Sequence, residues 1–209
     1  FLVSRVVPIA GFKTFYLLPS KTMNKDAILS WLPTYYHRVF DLETATLWFT
    51  CVPYLAMAIA ANFGGWGADR LIAGGMSLTR ARMLMTSLAL TGASVFLVLF
   101  SLSGSLLWSV ALIALSLAFM SLATGGFEAT YLDIASPKLV GSLKGLSNTL
   151  GALSGVLAMP YTSVVLRVTD GSWRAVFASL AVFFCICMAV FAGYGTFERV
   201  LAEDGESSD

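Results

Sequence analysis

Two uninterrupted apolar runs, residues 83–102 and 106–127, are separated by nothing more than Ser103-Gly104-Ser105. About 20 apolar residues in helical form cross a hydrocarbon layer of ~30 Å. A three-residue polar turn leaves two such helices no choice but to lie side by side and antiparallel. A chain built on that hairpin belongs in a bilayer, and the composition agrees. Hydrophobic residues make up 57% and charged residues 12%, with a mean hydropathy of +0.80. Soluble domains carry roughly 25% charge. A net charge of +1 gives no basic stripe for nucleic acid. Cys51, Cys185 and Cys187 sit in apolar runs with neither disulfide nor metal spacing, and no cofactor motif occurs.

Four further windows of bilayer length can be drawn, giving six spans at about 11–36, 47–68, 83–102, 106–127, 142–166 and 175–197. The expectation is an all-α membrane protein, one six-helix bundle over residues 1–197, followed by a polar acidic tail, 198–209, expected to be disordered. Basic residues flanking the spans favour one side, where Arg5, Arg70, Arg80, Arg82, Lys138 and Arg199 fall, over the other, with Arg38, Arg167 and Arg174. This bias places both ends of the bundle in the cytoplasm or its topological equivalent. The chain starts with Phe1 and not with Met, and is expected to be the interior and end of a longer product.

Charge inside the spans carries the chemistry. The first span holds Lys21, Lys25 and Asp26. An ammonium at membrane depth costs at least ~2.5 kcal/mol on insertion scales and therefore faces protein or a watery cavity. Lys21 then offers its charge to an anion; the competing reading puts residues 21–26 at the interface of a shorter span. Residues 62–82, NFGGWGADRLIAGGMSLTRAR, form a glycine-rich basic connection holding Asp69, Arg70, Arg80 and Arg82. The pattern Gly65-x-x-x-Asp69-Arg70, with Arg80 and Arg82 following, resembles the cytoplasmic signature loop of the major facilitator superfamily. Such a loop biases alternating access through ion pairs that form in one state and open in the other.

Within that superfamily, WLPTYYHRVFDL from Trp31, the glycine-rich run from Asn62 and DIASPKLVGSLKGLSNTLGALSGV from Asp133 resemble the C-terminal half of the anion:cation symporters. That family contains plant and plastid phosphate transporters, vesicular glutamate transporters and the lysosomal sialic-acid exporter. The resemblance implies a partner half of six helices from the same polypeptide, a small anionic substrate, a coupling ion such as Na⁺ or H⁺, and a plastid envelope or other organelle membrane. It also aligns Lys21 with a basic residue that contributes to anion recognition, and places Ser147 and Asn148 near the central cavity. Asp133 and Lys138 match a pair ahead of a cytoplasmic turn, read as a second latch. The chain departs from the family at Lys25, Asp26, Tyr131 and Ser136, and Glu128 stands where relatives are neutral. Glu128 is a candidate proton carrier, or else a partner of Lys144 or Lys138.

Phe49, Tyr54 and Met57 read mainly as packing, and Phe177, Phe183, Phe184 and Phe191 as lipid-facing. Gly141, Gly145, Gly151 and Gly155 form a stripe for close helix approach. His37, the only histidine, reads as a solvated interfacial residue, and no catalytic constellation is visible. The expected function is secondary transport of a small anion, inorganic phosphate first and glutamate or another carboxylate second. The alternative from another class is a self-contained, channel-like six-helix membrane protein.

Overall fold

A computed structural model describes residues 9–42, 48–129, 133 and 137–194, without the side chains of 9–20, 137–139, 143 and 190–194. The expected tail and the side chains of Arg5, Lys138, Phe191 and Arg199 fall outside these. Six helices run through the described residues: α1 (Ile9–Phe40), α2 (Cys51–Ala73), α3 (Leu78–Leu102), α4 (Leu106–Ser121), α5 (Pro137–Val168) and α6 (Trp173–Tyr194). A short 3-10 turn, Leu122–Gly125, prolongs α4. The fold is all-α, as expected from apolar runs of bilayer length.

α1, α3 and α5 overrun their apolar windows, because a helix continues past an apolar run for as long as its residues tolerate it. α1, 32 residues long, would measure about 48 Å at 1.5 Å per residue. Residues 21–26 fall in the middle of this helix and not at its end. α2 continues through Asp69 and Arg70, so the stretch at 62–82 is mostly helix. The real turn is Gly74 to Ser77, where Gly75 takes φ +90 and Met76 and Gly75 donate backbone hydrogen bonds to Leu71 and Ile72. Asp170 and Gly171, both at positive φ, reverse the chain between α5 and α6.

By length and composition, α3, α4 with its 3-10 turn, and α5 can cross a membrane, and α6 is a 22-residue, mainly apolar helix. α1 and α2 dilute their apolar runs with Lys21, Lys25 and Asp26 and with Asn62, Gly64, Gly65 and Gly67. Lys21, Lys25 and Asp26 face a cavity and Gly64 a neighbouring backbone, where an apolar side chain is not required.

α1 packs along α5, α2 along α4, and α3 joins α4 to α6, whereas α1 and α4 meet only narrowly. The end remote from the turn at Gly74–Ser77 is sealed by an aromatic cluster. There Tyr35 of α1 lies 5.2 Å from both Phe100 of α3 and Phe177 of α6, and Phe100 and Phe177 are edge to face at 4.6 Å. The expectation that α6 turns its aromatic residues to lipid is corrected here: Phe177 and Phe184 are fully buried. An all-apolar helix has no polar face to distinguish lipid from protein, so its core side is invisible in its composition.

The closest helix crossing joins α2 to the 3-10 turn. A Cβ on Gly125 would overlap the Gly64 carbonyl, and one on Gly64 would lie 2.7 Å from Thr124 Oγ1 and 2.8 Å from the Leu122 carbonyl oxygen. Thr124 Oγ1 donates to the Ala61 carbonyl across this contact at 2.8 Å. Backbones this close need glycine on both sides.

Candidate functional site

A cavity of about 740 Å³ opens between the α1–α5 pair and the α2–α4 pair. Three ammonium groups line it, Lys21 and Lys25 of α1 and Lys144 of α5, against two carboxylates, Asp26 and Glu128. Asn148 and Gly151 of α5 complete one wall, and Tyr54, Met57 and Thr124 the other. The lining thus carries one more positive than negative charge, in a bundle whose surroundings are otherwise apolar.

Lys21 Nζ donates to Glu128 Oε1, with only 11% and 19% of the two side chains exposed. The partner joins α1 to the segment beyond α4. Lys25 lies 3.5 Å from its neighbour Asp26, and the Asp26 carboxylate lies over Gly155, where a Cβ would collide with it. The α5 glycine stripe therefore divides: Gly155 receives a side chain from α1, while Gly141 and Gly145 have nothing within 4 Å.

The predicted pair Ser147 and Asn148 also divides. Successive helical residues point about 100° apart, so the two need not share a surface. Asn148 lines the cavity; Ser147 is fully buried and is not among the residues of the wall. Tyr54 and Met57, read mainly as packing, reach the cavity, while Phe49 packs edge to face on Tyr36 at 5.1 Å. Sequence reasoning missed Thr124, whose polarity beside two glycines was the available signal. His37 is exposed.

The signature residues separate by burial. Arg82, 8% exposed, donates from Nε to Asp133 Oδ2 at 2.8 Å, from Nη2 to Oδ1 at 3.4 Å, and from Nη1 to the Gly125 carbonyl at 2.8 Å. This planar fork ties the start of α3 to the end of the α4 segment, a bidentate geometry that lysine cannot reproduce. One turn on, Thr86 Oγ1 donates to the Arg82 carbonyl and accepts from the Phe127 N–H. Asp133 therefore meets Arg82 of the signature stretch, whereas its expected partner Lys138 has no described side chain. Asp69, Arg70 and Arg80 are exposed and make no ion pair among the described residues; Arg70 lies 4.9 Å over the Trp66 ring. Gly65 has open space where a Cβ would stand, so Gly64 and not Gly65 makes the close approach.

Residues 3–159 match the model of the Major Facilitator Superfamily. The chain belongs to that superfamily. A probable chloroplastic anion transporter of Oryza sativa subsp. japonica is 37% identical over 83% of this chain and 29% of its own length. A chloroplastic sodium-dependent phosphate transport protein of Arabidopsis thaliana is 35% identical over 83% and 34%. A voltage-gated purine nucleotide uniporter of Rattus norvegicus is 31% identical over 83% and 38%. These relatives match the anion:cation symporter branch that the motifs resemble. The chain spans about a third of the length of these plant relatives. As a superfamily member with several apolar helices of spanning length, it is an integral, multi-pass membrane protein.

Proposed function

We propose that this chain is the C-terminal half of a secondary active transporter that moves a small anion by alternating access, inorganic phosphate first and a carboxylate such as glutamate second. A second six-helix half of the same polypeptide completes the cavity from the open side. The observation that carries this reading is the excess of ammonium over carboxylate groups in a half-enclosed cavity between apolar helices. Charges at such depth face protein or a watery cavity, and Lys21 and Lys25 are held there beside Glu128 and Asp26. The names of the relatives point the same way: phosphate and purine nucleotides are anions, and the chloroplastic ones favour a plastid envelope as the site of action.

In this reading Lys21 is the principal anion ligand and Asn148 adds a neutral hydrogen bond from the facing helix. The Arg82–Asp133–Gly125 fork latches the cytoplasmic end of the bundle, and Asp69, Arg70 and Arg80, exposed beside it, are left for the other half to engage. Glu128 is our candidate for the group through which Na⁺ or H⁺ is coupled. The test is uptake of radiolabelled phosphate and of glutamate by the full-length protein in liposomes, with Lys21→Ala beside the wild type. A loss of at least ten-fold in uptake rate at low substrate is expected; undiminished uptake of both removes Lys21 from the site.

A further inference from the structure

Across the cavity the α1–α5 pair and the α2–α4 pair touch one another narrowly, while α3 and α6 link them at the side. The Lys21–Glu128 pair spans that gap. Both groups are largely shielded from solvent, so bulk water is a poor substitute for either partner. A glutamate carboxylate offers Lys21 what a phosphate or carboxylate ligand would offer: anionic oxygen at hydrogen-bond distance.

Resting on the anion-transport reading above, we propose that Glu128 is a tethered stand-in for the transported anion. In the empty carrier it occupies Lys21 and ties the two helix pairs together. An incoming anion takes over Lys21, and the released carboxylate stays in a cavity whose lining still includes Lys25 and Lys144. The swap exchanges a bond between the helix pairs for a bond to the ligand, so loading the site loosens the pairs from each other. A ligand moves such an equilibrium only by its different affinity for the two arrangements, and here the difference is whether Lys21 is already taken.

The consequence runs against ordinary loss of function. If the pair is closed about nine-tenths of the time, only one carrier in ten is ready to bind, and removing the competitor tightens apparent affinity about ten-fold. Inorganic phosphate, and glutamate in parallel, would be titrated calorimetrically into the purified full-length protein, comparing wild type, Glu128→Gln and Glu128→Asp. Gln is expected to lower the apparent Kd about ten-fold, and Asp, with its carboxylate drawn back by one methylene, by an intermediate factor. A pair that only held the fold together would give weaker or unchanged binding, and either result overturns the proposal. Should Glu128→Gln not fold, the Asp variant decides by the same criterion. A wild type that neither binds nor transports either anion refutes the transport reading itself, and the inference falls with it.

Discussion

Replacing Gly125 by alanine asks whether the α2–α4 crossing is as tight as its geometry says. The added Cβ would overlap the Gly64 carbonyl oxygen and stand 3.1 Å from the Ala68 Cβ. The obstacle is backbone on a packed helix and cannot rotate away, so α2 and the 3-10 turn must part. Overpacking of this kind costs typically about 1–3 kcal/mol, and a rigid carbonyl as the obstacle puts Gly125→Ala in the upper half of that range. At about 2–4 °C per kcal/mol for a domain of this size, the purified protein would melt several degrees lower. Gly65→Ala supplies the control. It lies on α2, next to Gly64, with nothing within 4 Å of the new methyl, and alanine is favoured over glycine inside a helix by roughly 0.5–1 kcal/mol. Its melting temperature should equal or exceed that of the wild type. Thermal unfolding in detergent, followed by tryptophan fluorescence, reads both. Equal melting temperatures for Gly125→Ala and wild type would refute the close crossing, and with it the placement of Thr124 and Glu128 that depends on it.

Arg82→Lys keeps the charge but cannot serve both Asp133 oxygens and the Gly125 carbonyl together. Leaving one of these shielded acceptors unmet costs about 1–3 kcal/mol, expected as a lower melting temperature and, in the transport reading, as a changed uptake rate with little change in substrate affinity. Asn148→Ala, on the cavity wall, should raise the KM for phosphate several-fold, since a neutral hydrogen bond contributes about 0.5–1.5 kcal/mol. Ser147→Ala, one residue earlier but buried in helix packing, should leave KM unchanged and show any effect in thermal stability; the reverse pattern would exchange their roles. These stand beside the Lys21→Ala uptake test and the Glu128 titrations described above.

The order and number of the helices could be read from the chain because bilayer length and turn chemistry are local properties. Ser103-Gly104-Ser105 and Asp170-Gly171 mark their reversals in any context. Lys21 lies mid-helix in an α1 that runs from Ile9 to Phe40, as its place inside the first apolar window implied. What lies on which side of a helix was less legible. Phe177 and Phe184 look no different in sequence from residues that face lipid, yet both are buried, and Ser147 parts from Asn148 solely through the rotation of α5. The charged residues show the same division most clearly. The sequence established that Lys21, Arg82, Glu128 and Asp133 are charges set in or beside apolar spans and must therefore find partners. The pairing itself, Lys21 with Glu128 across 107 residues and Arg82 with Asp133 across 51, was decided by the tertiary structure alone. Desolvation demands a counter-charge without naming it, and the choice falls to whichever helix faces the packing brings within reach.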